Sequence, residues 1–176
     1  MDGRQQAQRD ATIASYQEGA QEYRAATESG LRSPLADAAG QYARTLSPGA
    51  RVLEIGSGTG RDARELESLG LSVRRPDITP AFVEMMRADG YTADVLDPLT
   101  DDLGGPYDGV WASAVLVHLT REETDVVLRR LATVTRPSGR LFASLKEGDG
   151  RRRAQAATCR ESASSRTGVL SRCAPR

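Results

Sequence analysis

Residues 51–62 read Arg51-Val52-Leu53-Glu54-Ile55-Gly56-Ser57-Gly58-Thr59-Gly60-Arg61-Asp62. A short apolar run, Val52, Leu53 and Ile55, ends in glycines at alternate positions, Gly56, Gly58 and Gly60. Residues 63–69 favour a helix and Gly70 stops it, so the stretch predicts a buried strand, a tight turn and a helix entry. Glycine permits positive φ there, and its missing Cβ lets a ligand approach the main chain. The free N–H groups at a helix start suit an acceptor-rich or negatively charged group. Glu54, at the end of the strand, sets one acid beside the loop.

Working downstream, Leu71 to Asp77 reads as a second strand, and Thr79-Pro80 as an N-cap and first-turn proline opening a helix over 80–89. Phe82, Val83 and Met86 are its inward candidates. Tyr91 to Val95 reads as a third strand, 97–102 as a solvated acidic loop, and Tyr107 to Ser113 as a fourth strand with Trp111 in the sheet core. Thr120-Arg121-Glu122-Glu123 has the form of a capping box for a helix over 121–135, with Val127, Leu131 and Val134 inward. Past Pro137-Ser138-Gly139, Arg140 to Lys146 reads as a fifth strand. This alternation predicts an α/β fold, a doubly wound, mostly parallel sheet with helices on both faces. Ligands of such sheets lie beyond the carboxyl ends of the strands, near the reversal of strand order. The glycine loop, Asp77, Asp94 and Ala112-Ser113 all fall at that edge.

Upstream, residues 11–29 read as a helix carrying Tyr16, Ala20 and Tyr23 on one stripe. Ser33-Pro34 opens a second helix with Leu35, Ala38, Ala39, Tyr42 and Leu46 at core-facing spacing. The expected organisation is a helical lid over 1–48, a core over 49–150 and a separate tail over 151–176.

Lys+Arg and Asp+Glu number 24 each, which argues against a dedicated nucleic-acid binder, whose affinity needs a basic face. The balance is uneven: seven arginines and one acid, Glu161, lie beyond residue 150, which leaves a formal −6 on residues 1–150. Arginine, alanine and serine dominate that tail, so disorder is the expectation there. Cys159 and Cys173 both lie in it, without the histidine spacing of a metal site. A cytoplasmic protein without disulfides, metal or membrane segment is expected: the first residues are polar, and no apolar run reaches the ~20 residues of a span.

A dinucleotide turn has the spacing G-x-G-x-x-G, but position 61, where its third glycine would fall, is arginine. Here the pattern is E-x-G-x-G-x-G, with an acid, Asp77, at the end of the next strand, placed to accept from both hydroxyls of a ribose. Val52 to Gly60 resembles motif I of the class I S-adenosylmethionine-dependent methyltransferases. Asp77-Ile78-Thr79-Pro80-Ala81-Phe82 resembles their second-strand motif, Ala93-Asp94-Val95-Leu96-Asp97 the third, and residues 107–119 the fourth-strand segment. The likeness covers about residues 12–150. It implies a Rossmann-like fold with S-adenosylmethionine as cofactor and a small-molecule methyl acceptor. The backbone of Gly56, Ser57, Gly58 and Gly60 would line the methionine and ribose portion, with Glu54 acting through water or the loop amides. Asp77 would hold the ribose and Ile78 would pack on the adenine. Asp94 would accept from the adenine amino group beside the Val95 amide, with Asp97 as the competing acid. Ala112 and Ser113 would flank the methionyl end. Tyr16 and Tyr23 resemble lid tyrosines; ordinary core packing is the other reading of both. His118, the one histidine, is the candidate general base, and a structural role before the helix cap is its alternative.

The pattern departs from the family after the fifth strand. Members of the family usually add an antiparallel pair of strands there, and residues 147–176 carry no such signal. An arginine-rich chain with a single lysine suggests a GC-rich gene, so a frameshifted or truncated tail is one expectation, with a catalytically weak or inactive, cofactor-binding remnant as the alternative function. A nucleotide-cofactor oxidoreductase is the third reading, disfavoured by Arg61.

Overall fold

The computed structural model describes residues 3–30 and 33–145. Among them, β1 (Arg51–Glu54), β2 (Ser72–Arg74), β3 (Tyr107–Ala112) and β4 (Thr135–Ala143) form one sheet in the order β2-β1-β3-β4, with every pair parallel. The chain steps outward from β1 to β2, then crosses to β3 on the opposite side of β1. Strand order therefore reverses between β1 and β3, where Glu54 stands opposite Trp111 and the Ile55 amide donates to the Trp111 carbonyl at 3.0 Å.

Side chains alternate across the sheet, as a two-residue period requires. Leu53, Ile55, Val110 and Ala112 pack with Leu116, Val127 and Leu131, the last two from α6 (Arg121–Val134). Val52, Trp111 and Phe142 face the other way, onto Ala38, Ala39 and Tyr42 of α3 (Ser33–Ala43) and Leu66 of α4 (Arg61–Ser68). Trp111 is fully buried, stacks on Phe142 at 3.7 Å between ring centroids, and donates its indole N–H to Asp62 at 3.0 Å. The Tyr42 hydroxyl donates to the Val110 carbonyl at 3.1 Å and occupies the space a Cβ at Gly109 would need.

Helix ends follow local chemistry. Thr120 and Glu123 form the expected capping box at the start of α6. The proline-led helix is α5 (Pro80–Ala88), but the Thr79 side chain makes no cap. Asp77 accepts from the Thr79 amide instead, at 2.7 Å, and Gln17 accepts from the Ala81 amide at 2.9 Å.

Four expectations need correction. The helix over 11–29 is two, α1 (Gly3–Glu18) and α2 (Ala20–Thr27), separated at Gly19. The third strand contracts to a single parallel bridge, Asp77 with Val95. Pro76, which has no amide hydrogen to extend β2, precedes that bridge, and the Ala93 carbonyl is taken by the Arg87 guanidinium at 2.9 Å. The fifth strand is β4, beginning at Thr135 and paired across a register irregularity opposite Tyr107–Gly109. The acidic loop is not simply solvated. Leu99 and Leu103 are buried in the α6-side core, Arg130 donates to the Leu99 carbonyl at 3.0 Å, and Arg9 pairs with Asp97. Lys146 and the tail, with both cysteines, lie outside the described residues. Among the described residues no helix is long and apolar enough to cross a membrane.

Candidate functional site

The glycine loop turns on three left-handed residues: Gly56 (φ +66°), Gly58 (φ +54°) and Gly60 (φ +73°). At Gly56 a Cβ would lie 2.6 Å from Cγ2 of Val115, so the loop after β3 closes against the loop after β1 only because position 56 lacks one. Beside Gly60 stands the Met86 sulfur, 3.0 Å from where a Cβ would sit. Gly58 faces the Tyr23 ring, and there a Cβ would find ordinary contact at 3.6 Å.

Asp77 is the centre of the constellation. It is buried, and one carboxylate oxygen accepts from the Gly58 amide at 2.8 Å while the other accepts from the Thr79 amide. Burial pushes its carboxyl up, and the Thr79 and Gly58 amides oppose that shift. Each oxygen keeps acceptor capacity beyond these bonds.

Two further acids lie under the loop. Glu54 is buried with Oε2 unpartnered, and its carboxyl is pushed well above the ordinary value by burial, then by the charge of Asp62. Asp62, in the first turn of α4, accepts from Trp111 through one oxygen and from Arg61 through the other, at 3.0 and 2.9 Å. Sequence reading passed over Asp62. Its place in the first turn of a helix, where an acid is favoured by the dipole, was the available signal. Val115 left no signal at all.

Tyr16 of α1 and Tyr23 of α2 lie beside this cluster, the Tyr23 ring against Gly58. Their rings meet edge-on at 5.8 Å, and Phe82 of α5 lies 5.9 and 5.3 Å from them. The Tyr16 hydroxyl lies 3.2 Å from Nε2 of His118, with the rings again edge-on. Burial raises both phenols, and the charge of Asp77 adds to each rise. The structure thus gathers Tyr16, Tyr23, Glu54, Gly56, Ser57, Gly58, Gly60, Asp77 and His118 around one loop. Ile78 follows Asp77, Ala112 ends β3 at the same edge with Ser113 just past it, and Val95 stands opposite Asp77 with 50 % of its surface exposed.

The Asp94 backbone is brought in, its carbonyl accepting from the Asp77 amide at 3.1 Å, but its side chain is not. Its carboxylate pairs with Arg74 at 2.6 Å, and Arg74 also donates to the Leu103 carbonyl and the Tyr107 hydroxyl. That pair lines a cavity of about 350 Å³, whose walls also include Arg51, Ser72 and Tyr107, the first residues of their strands. The physical reason is competition: a guanidinium two or more bonds deep in its own network outbids an open crevice for the carboxylate.

The architecture and this edge cluster define a class, the class I S-adenosylmethionine-dependent methyltransferases. Residues 53–143 match the family model described as a methyltransferase domain, and the chain belongs to that family. It is 29% identical over 110 residues to the ubiquinone biosynthesis O-methyltransferase of Xanthomonas campestris pv. campestris, a match covering 58% of this chain and 45% of that protein. The chain thus spans about half the length of the curated relatives it matches. Among solved structures it resembles the magnesium protoporphyrin IX methyltransferase of Synechocystis PCC 6803 with bound S-adenosylmethionine (TM-score 0.66, 21% identity, 80% of this chain and 76% of that one). It also resembles the S-adenosylmethionine-bound amino pentose methyltransferase CalS10 of Micromonospora echinaspora (TM-score 0.62, 25% identity, 74% of this chain and 58% of that one).

Proposed function

We propose that this chain binds S-adenosylmethionine between the glycine loop, Asp77 and the Tyr16–Tyr23 cover, and transfers its methyl group to a small-molecule acceptor. The observation that carries this reading is the charge around the loop. Glu54, Asp62 and Asp77 are all buried there, with Arg61 committed to Asp62. Arg61 neutralises Asp62, and burial disfavours the ionised form of Glu54. The charge left at the loop is the Asp77 carboxylate, which would repel the pyrophosphate of a dinucleotide and attract a sulfonium and an ammonium. The chemistry of the donor set therefore fits S-adenosylmethionine and disfavours the oxidoreductase reading.

Each residue has a role in this proposal. The spare acceptor capacity of Asp77 takes the ribose hydroxyls, with the backbone of Gly56 to Gly60 alongside. Ile78 and the exposed Val95 offer apolar contact to the adenine, and Asp94 reaches its amino group only by leaving Arg74. Ala112 and Ser113 flank the amino-acid end, and the cover is formed by α1 and α2. S-adenosylmethionine carries its methyl group already activated on sulfur. The protein's task is then alignment and exclusion of water, and good alignment alone supplies roughly 7–11 kcal/mol of a barrier. His118 stands at the Tyr16 end of the crevice as the candidate base for a protic acceptor.

The names of the relatives support a small-molecule acceptor, since they concern ubiquinone biosynthesis, a porphyrin and an amino pentose. Calorimetric titration with S-adenosylhomocysteine and with NAD, followed by methylation assays on phenols, amino sugars and porphyrins, tests the proposal. Binding of NAD alone overturns it. Binding of S-adenosylhomocysteine without transfer to any acceptor replaces it by the cofactor-binding remnant.

A further inference from the structure

We infer that Glu54 is a proton-linked charge sensor for the cofactor: its buried carboxyl is neutral in the empty protein and gives its proton to solvent when the cationic ligand enters. The inference rests on the S-adenosylmethionine reading above and deepens it.

The geometry is a cluster with an unmet demand. Glu54 stands at the carboxyl end of β1, two residues before the first loop glycine, and is 2 % exposed. Alternation along β1 turns it to the same face as Val52, toward α4 and Trp111. Its Oε2 has no hydrogen-bond partner. An ionised carboxylate buried in this way is strongly disfavoured, so the group holds its proton instead. The groups facing it come from each neighbouring element. Burial raises its carboxyl most, Asp62 of α4 and Asp77 beyond β2 add to the rise, and the Ser57 hydroxyl and Arg75 oppose it. Arg75 brings little relief. It pairs with Glu67, lies over the Tyr91 ring at 4.2 Å, and has its own Nη1 buried without a partner.

A ligand carrying positive charge into the loop reverses the field at Glu54. The O–H bond of the carboxyl then breaks, the electron pair stays on the carboxylate and the proton passes to bulk water. Below the carboxyl's own pKa, each unit drop in pH then weakens the apparent affinity by up to tenfold. The loop thereby selects for the cationic ligand.

The test is calorimetry of S-adenosylmethionine binding in buffers of different ionisation enthalpy, which counts protons, with Glu54→Gln beside the wild type. The expected result is release of up to about one proton per ligand in the wild type and none in the variant. An infrared difference spectrum of the wild type, with and without S-adenosylmethionine, should show loss of a carboxylic-acid C=O band, and this holds even if the variant fails to fold. Binding without proton release, or release that persists in Glu54→Gln, overturns the inference while leaving the cofactor reading intact. No binding at any pH overturns both.

Discussion

The carboxylate of Asp77 and the amide of Gly58 are joined at 2.8 Å across 19 residues of sequence. One acid thereby holds the glycine loop in shape and stands at the place where the ribose is proposed to lie. Asp77→Asn keeps one acceptor oxygen and turns the other into a donor facing an N–H. Hydrogen bonds to charged groups contribute about 1.5–3 kcal/mol each. S-adenosylhomocysteine affinity should fall roughly 10- to 100-fold by calorimetry, with urea stability lower by about 1–3 kcal/mol.

Asp94→Asn provides the contrast. Because Arg74 holds that carboxylate, the substitution should change S-adenosylhomocysteine affinity by less than about threefold, under 1 kcal/mol. A loss as large as that for Asp77→Asn would mean that Asp94 leaves Arg74 when the cofactor binds.

The glycines separate strain from crowding. Gly56→Ala meets both a positive φ and the Val115 side chain, and should lose about 2–4 kcal/mol of stability, partly recovered by Val115→Ala. Gly58→Ala meets the φ penalty with ordinary contact to Tyr23, and about 1–2 kcal/mol is expected. Equal losses at the two positions would remove Val115 from the explanation.

Across the sheet, Tyr42→Phe loses one buried hydrogen bond to Val110 and should cost about 0.5–1.5 kcal/mol. Gly109→Ala forces its Cβ into the Tyr42 hydroxyl and should cost more, and the double substitution less than the sum. A denaturation cycle on the four proteins reads this out.

Stability should depend on pH in a direction set by burial. Glu54 and Asp77 have folded pKa values above their ordinary values of 4.5 and 3.8, so the native state holds their protons more tightly than the unfolded chain. The stability they contribute is full below those ordinary values and declines as pH rises toward the folded values, by at most about 1.4 kcal/mol per pH unit for each group. Asp108, lowered first by the Arg51 amide and then by Arg136, acts in the opposite sense and loses its contribution as pH falls. Glu54→Gln should therefore flatten the decline of Tm with rising pH in the ligand-free protein. An unchanged slope would exclude Glu54 as its source.

Local signals in the sequence were enough for the strand–glycine–helix unit at 51–62, the proline-led α5, the capping box of α6 and the alternation that makes a parallel sheet. Each of these depends on residues within a few positions of one another. The same signals placed Asp77 at the edge of the sheet beside the glycines, but the one stripe they gave Tyr16 and Tyr23 is broken at Gly19, and the two rings meet from separate helices. Tertiary structure decided what depends on distant partners: that Arg74 withdraws Asp94, that Asp62 belongs to Trp111, that Val115 fills the space in front of Gly56, and that the third strand keeps one bridge beside Pro76. A side chain's nearest charge and the room available to a Cβ are set by segments tens of residues away, and no periodicity along the chain records them.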